Sequence, residues 1–212
     1  METDNQQWYF LLLDSIRESQ TTDNLRSLLN TPELANYKMS QNKYPRLKIS
    51  ITKEQVESLI ETGIIGETGE INYDAISSQS ALSQLLYSFL WKQGDIQKLK
   101  HIVNGFRNEE PISDSGIVLH YFGKHLADNR NPIIDQHVIR AYAFSFGLEE
   151  VNKETLSKKD KSNISAYIHW FKNELPLVIR ESRENRYLVD QIMYALGKKI
   201  KAEEFPRPQI IY

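Results

Sequence analysis

Apolar residues recur at intervals of three and four along most of this chain, and that spacing constrains its fold more than any other feature. Near the start of the chain it includes Trp8, Leu11, Leu12 and Ile16. This is the pattern of a helix that buries one face. No stretch of comparable length alternates with the period of two that is typical of a strand. We therefore predict an all-α protein.

Capping residues divide the chain into separate helices. Thr22 or Asp23 can cap a short helix, and Thr52 with Gln55 forms a capping-box pattern at the start of another. A long and mostly apolar stretch then runs over residues 73–91. We expect that stretch to form a helix at the centre of the core.

A glycine-rich segment at residues 63–69 is the best candidate for a hinge between lobes. A chain of 212 residues suits one large domain or two small, closely packed lobes. We predict an N-terminal helical lobe at residues 1–70, a core domain at 71–200 and a tail at 201–212. The two lobes are expected to pack closely with a cleft between them.

The chain contains no cysteine. Disulfides, thiolate metal sites, iron–sulfur clusters and cysteine nucleophiles are thereby excluded. No apolar run is long enough to cross a bilayer, and the polar first residues do not resemble a secretory signal. These features predict a cytoplasmic protein that makes no membrane contact.

Charge is distributed unevenly although the net charge is only -2. Residues 1–80 hold 7 Lys and Arg against 12 Asp and Glu, whereas residues 150–201 hold 11 against 7. Basic clusters can contact phosphates. The alternative is a set of solvated helix faces with no partner.

The segment at residues 131–140, NPIIDQHVIR, carries the chemistry of interest. Pro132 disfavours helix at the residue before it, so the next helix is expected to begin at Asp135. A carboxylate there can accept backbone N–H groups and is favoured by the helix dipole. His137 and Arg140 are three residues apart and share a helix face. In the simplest interpretation these three residues are a cap, a packing residue and a solvated charge.

The run Asp-x-His-x-x-Arg, preceded by proline and small apolar residues, resembles the helix-hairpin-helix DNA glycosylase superfamily. Its members include endonuclease III and 8-oxoguanine glycosylase, and the resemblance covers residues 75–200. It implies that Asp135 is the catalytic aspartate and that His137 and Arg140 complete the motif. The helix at residues 115–126 takes the place of the second helix of the hairpin.

The expected hairpin departs from the family pattern. This chain has EPISDSG at residues 110–116, without the Gly-x-Gly whose amides hold a DNA phosphate. The phosphate contacts are then assigned to Ser113, Ser115 and Gly116, with Arg140 as a further contact. Asp114 in the same loop would repel a phosphate.

The Schiff-base lysine of the bifunctional family members has no counterpart. Ile117 or Ser113 falls at its position, and Lys124 lies further along the helix, where an exposed charge is expected. The resemblance therefore implies a monofunctional glycosylase that hydrolyses the N-glycosidic bond of a damaged or modified base and leaves an abasic site. We expect no cofactor and no metal, double-stranded DNA as the partner, a monomer, and a location in the cytoplasm at the nucleoid.

Two other hypotheses remain open. The first is a DNA-binding or protein-interaction module that keeps the helical scaffold without the chemistry. The second is a helical regulatory protein that binds no nucleic acid. Most aromatic residues are expected in the core, and the irregular segment at residues 39–44 is a candidate for the wedge that enters the DNA gap.

Overall fold

The computed structural model describes residues 4–47, 49, 51–148, 155–156 and 158–203, except for the side chains of residues 4–6 and 158. The described chain is helical apart from turns and an isolated antiparallel bridge between Ile65 and Ile71, which confirms the all-α prediction. Its α-helices are, in order, α1 (Asp4–Glu18), α2 (Thr22–Leu29), α3 (Pro32–Ala35), α4 (Lys53–Glu61), α5 (Tyr73–Ile76), α6 (Ala81–Gln93), α7 (Leu99–Phe106), α8 (Ile117–Ala127), α9 (Gln136–Ser145), α10 (Lys161–His169), α11 (Leu177–Arg180) and α12 (Arg183–Glu203).

The chain divides into two compact units. Unit 1 combines residues 1–47 with residues 130–212, and unit 2 comprises residues 48–129. These bounds differ from the predicted division at residues 70 and 200. The physical reason is that α1, α2 and α3 pack with helices from the C-terminal half, namely α9 and α12, and so do not form a lobe of their own.

The glycine-rich segment at residues 63–69 lies inside unit 2. Gly63 and Gly69 have φ angles of 70° and 87°, which favour glycine. They form a turn between α4 and α5 and not a hinge between the units. At the other end, residues 201–203 of the predicted tail continue α12, and residues 204–212 lie outside the described chain.

Unit 1 is built around α12. Val189, Ile192 and Leu196 of this helix are fully buried, and α12 packs most extensively against α9 and then against α2. At the crossing with α9, a Cβ atom on Gly197 would lie 1.8 Å from the carbonyl oxygen of His137. Only glycine permits the two backbones to approach this closely.

The buried face of α1 differs from the expected one. Tyr9, Leu12, Leu13 and Ile16 are buried, whereas Leu11 is 54% exposed. The cause is the packing of α1 against α9. Tyr9, for example, meets Phe144 of α9 edge-on, with ring centroids 5.2 Å apart.

Unit 2 centres on the pair α7 and α8, joined by the loop at residues 107–116. A Cβ on Gly105 would lie 1.8 Å from the carbonyl oxygen of His120, and a Cβ on Gly123 would lie 2.1 Å from that of Ile102. The two helices therefore touch through their backbones. A small core forms beside them from Val56, Ile65, Val103 and Phe106.

The prediction that residues 73–91 form a central core helix is wrong. The segment splits into α5 and α6, and no residue of α6 is buried. Among its apolar side chains, Leu85 is 69% exposed and Phe89 is 61% exposed. The segment is mostly apolar, as its sequence indicates, but the described helices do not cover its outer face.

Two predicted helix starts can be compared with the structure directly. At Thr52 the capping box is confirmed, because the hydroxyl accepts from the Gln55 N–H and the Gln55 side chain accepts from the Thr52 N–H. The cap of α2 is Thr21 and not Thr22 or Asp23. Asn24 completes that capping box, a variant in which asparagine replaces the usual Glu or Gln.

Candidate active site around Asp135

Asp135 caps α9 as the sequence predicts. Its Oδ1 accepts hydrogen bonds from the backbone N–H groups of His137 and Val138, at 2.7 and 2.9 Å. The structure shows no hydrogen bond to the other oxygen, Oδ2, within the described chain. Burial raises the pKa of Asp135, while the two N–H donors and the charge of Arg140 oppose that rise. The carboxylate is thus held at the start of α9 through one of its oxygens.

His137 links α9 to α12. Its Nδ1 lies 3.0 Å from a guanidinium nitrogen of Arg140, and its ring also hydrogen-bonds the carbonyl of Gly197. Burial first, and then the charge of Arg140, lower the pKa of His137 to about 4. The imidazole is therefore neutral at pH 7 and serves as a bridge between the helices.

Arg140 does not reach the surface. The residue is only 2% exposed, and its Nη1 lies 3.4 Å from the carbonyl oxygen of Gly197. A guanidinium buried against α12 cannot contact a DNA phosphate, which argues against the role assigned to it from the sequence. Its charge acts instead on the neighbouring His137 and Asp135.

A second acidic residue, Asp190 of α12, lies close to Asp135. It is 7% exposed, and one of its oxygens accepts the backbone N–H of Ile133, two residues before Asp135. Oδ1 is buried without a hydrogen-bond partner in the described chain. Burial raises the pKa of Asp190 far above its usual range, and the negative charge of Asp135 raises it further.

Asp190 is not among the residues predicted from the sequence, although the sequence contains a signal for it. Asp190 belongs to a series of residues at intervals of four, three and four positions, which is the spacing of a buried helix face. The series is Arg186, Asp190, Met193 and Gly197. All four residues are indeed buried. An acid in such a series marks a candidate functional residue, because buried carboxylates are rare without a partner.

Two tyrosines, Tyr167 and Tyr194, lie within electrostatic range of Asp135. Tyr194 is half-buried, lies edge-on to His137 with ring centroids 5.1 Å apart, and has Lys198 over its face at 5.6 Å. The pKa of Tyr194 is raised by burial and by the charges of Asp135 and Tyr44. Tyr167 is fully buried, and its pKa is raised well above the usual value by burial and then by the charges of Asp190 and Asp135. The site therefore combines acids with aromatic surface.

The candidate wedge segment at residues 39–44 lies beside α12. The Nε2 group of Gln41 donates to the hydroxyl of Tyr187 at 3.2 Å. Tyr44 remains 49% exposed while lying near enough to Tyr194 to affect its pKa. An exposed aromatic residue therefore lies at the edge of the site, although its use as a wedge stays a prediction.

The predicted phosphate-binding loop belongs to unit 2, whereas Asp135, His137 and Arg140 belong to unit 1. The hydroxyl oxygens of Ser113 and Ser115 lie 3.2 Å apart and bond each other. Gly116 is buried, and a Cβ there would lie 2.2 Å from Nδ1 of His101. Packing against α7 explains this glycine, and α8 begins directly after it.

Lys124 is less exposed than expected. It lies half-buried in the last turn of α8, with its Nζ 5.5 Å from the centroid of the Tyr121 ring. The C-terminal basic residues also make internal contacts. Arg186 is 7% exposed, and Lys199 forms an ion pair with Glu203. Part of the positive charge in this third of the chain is therefore structural.

Within the residues that the structure describes, no three His, Asp or Glu side chains come together as metal ligands. None of the described helices has both the length and the apolar character needed to cross a bilayer. Comparison with protein-family models, curated proteins and solved structures finds no match to this chain.

Proposed function

We propose that this chain is a monofunctional DNA glycosylase of the helix-hairpin-helix type with Asp135 as its catalytic carboxylate. The observation that carries the proposal is the carboxylate itself. Two backbone N–H groups fix Oδ1 at the start of α9, and the charge of the carboxylate acts on Tyr194 of α12. A helix start is favourable for a carboxylate that must stay ionised.

The reaction is a hydrolysis. The damaged or modified nucleotide leaves the duplex, at a cost of a few kcal/mol. The bond between C1′ and the base nitrogen breaks, its electron pair leaves with the base, and a water oxygen forms the new bond to C1′. Asp135 stabilises the positive charge on the sugar and orients or deprotonates that water. The departing base takes up a proton from solvent.

The surroundings of Asp135 support this assignment. Burial and the raised pKa bring the carboxyl closer to the range in which it can accept a proton at neutral pH. Tyr194 lies within electrostatic range of Asp135, and an aromatic ring near the carboxylate is what an extruded base requires. The proposal includes a glycosylase-like helical arrangement, double-stranded DNA as substrate and a location at the nucleoid.

The test is release of free base from a panel of DNAs that carry damaged or hypermodified bases. Wild type is compared with Asp135→Asn, which keeps the helix cap because asparagine caps as well as aspartate. We expect release to fall by roughly a hundredfold or more in the variant while DNA binding is retained. Mass spectrometry identifies the base, and alkali cleavage reveals the abasic site.

Asp23→Asn is the matched control. Asp23 lies in the same unit, and its side chain is 86% exposed, so the same loss of charge should leave base release unchanged. Equal release by wild type and Asp135→Asn would contradict the proposal. No release from any DNA, with equal affinity in both proteins, would favour the non-catalytic binding module instead.

A further inference from the structure

The outer face of α6 carries a continuous apolar surface. This surface, here called the α6 stripe, consists of Leu82 (66% exposed), Leu85 (69%), Leu86 (56%) and Phe89 (61%). Their spacing of three, one and three places them on one side of the helix. Ser83, Tyr87 and Leu90 on another side of the helix are partly buried. The stripe therefore points away from the side on which α6 rests.

The area of this surface is large for a protein that works alone. The α6 stripe exposes on the order of 500 Å² of apolar surface, at the upper end of what monomeric proteins leave uncovered. Each partner in a stable interface buries about 800 Å², part of which comes from a polar rim. The stripe is thus large enough to form the apolar centre of an interface.

The charge on α6 limits what the stripe can bind. Lys92 is the only charged residue in the helix. DNA-binding and membrane-surface helices depend on several lysine or arginine residues next to their contact face. A protein surface that is also apolar and uncharged is the complementary partner, and a second copy of this chain provides one.

We propose that the chain forms a homodimer through the α6 stripe, with the α6 helices of the two copies packed against each other. A two-fold contact is self-complementary, since the same residues meet on both sides. Leu85 and Leu86, at the middle of the stripe, lie nearest the symmetry axis. No like charges meet there, because the stripe carries none. This proposal replaces the expected monomer and is independent of the glycosylase chemistry.

The first test is sedimentation velocity of the full chain over a range of concentrations. We expect wild type to form a dimer and Leu85→Glu to weaken it by roughly tenfold or more, since two carboxylates would meet at its centre. Leu177→Glu is the matched control. Leu177 is 63% exposed but lies on α11 in unit 1, so its variant should dimerise like wild type.

The second test uses the absence of cysteine from the chain. Under mild oxidation Leu86→Cys should form a disulfide-linked dimer, because that position faces its own copy. Leu177→Cys should stay unlinked. Circular dichroism of each variant checks that the helices are intact. A wild type that remains monomeric at every concentration, or a dimer that survives Leu85→Glu and does not cross-link at position 86, would overturn the proposal.

Discussion

Asp135 and Asp190 differ in how well the fold stabilises their negative charges. Asp135 receives two backbone N–H groups at a helix start, with Arg140 nearby. Asp190 receives one N–H, from Ile133, and is more deeply buried, with Arg186 as its cationic neighbour. Because Asp135 has the stronger stabilisation, it ionises first, and its charge then opposes ionisation of Asp190. Burial and the charge of Asp135 thus favour the protonated form of Asp190 more strongly than that of Asp135.

Asp190 should make the protein less stable as the pH rises. Its folded-state pKa is raised, so the folded protein holds the proton more tightly than the unfolded chain. Stability is then lost as the pH rises from the ordinary value of 3.8 through the folded-state pKa. Asp190→Asn keeps an acceptor for the Ile133 N–H and removes this loss.

The measurement is urea unfolding at a series of pH values. Wild type and Asp190→Asn should have similar stability near pH 4, and the variant should be the more stable at higher pH. The Asp23→Asn variant serves again as the control, with a curve parallel to wild type. A variant that is less stable than wild type at every pH would mean that Asp190 is ionised and paired in the fold.

At the scale of helices, the sequence predicts starts better than it predicts burial. A cap is a local interaction among four residues, and Thr52 and Asp135 were both predicted from local sequence. Burial depends on partners distant in the chain. The apolar pattern of α6 correctly predicts a helix with an apolar face, but it does not show what covers that face.

The same limit explains the outcome at the candidate site. Asp135 lies in a contiguous motif, but Asp190 is far away in sequence and meets it only because α12 packs on α9. Arg140 shares the motif, and nothing local indicates that its guanidinium points into that helix crossing. Gly197 is the residue that permits the crossing, and a single glycine inside a helix carries little signal in sequence.

The contact between α7 and α8 gives a sharper prediction. Gly105→Ala would place a methyl group 1.8 Å from the carbonyl oxygen of His120, which belongs to the backbone of α8 and cannot turn away as a flexible side chain can. We expect a loss of about 3 kcal/mol in the free energy of unfolding, at the upper end for overpacking. Urea unfolding followed by circular dichroism measures it.

Gly66→Ala in the same unit is the control. The nearest atom to an added Cβ there is the Glu70 carbonyl oxygen at 3.7 Å, an ordinary contact. The free energy of unfolding of this variant should stay within about 1 kcal/mol of the wild-type value. Equal effects from the two substitutions would show that α7 and α8 do not touch through their backbones.

Across the whole molecule, burial is concentrated in unit 1. Twelve residues of α12 are buried, whereas none is buried in α6. The core cluster of unit 2 around Val103 and Phe106 is small. Local stability follows the number of buried apolar contacts, so the two units are expected to open with different free energies.

Hydrogen–deuterium exchange can measure this difference along the chain. Amides of α12 should exchange slowest, because opening that helix exposes the core of unit 1. Amides of α6 should exchange far faster at low protein concentration, when its outer face meets only water. Raising the concentration should slow α6 selectively, since dimerisation through the α6 stripe adds the contacts that the single chain lacks. In Leu85→Glu that dependence on concentration should disappear while the exchange of α12 stays the same. Slow exchange of α6 at every dilution would instead mean that another part of the same chain covers the stripe.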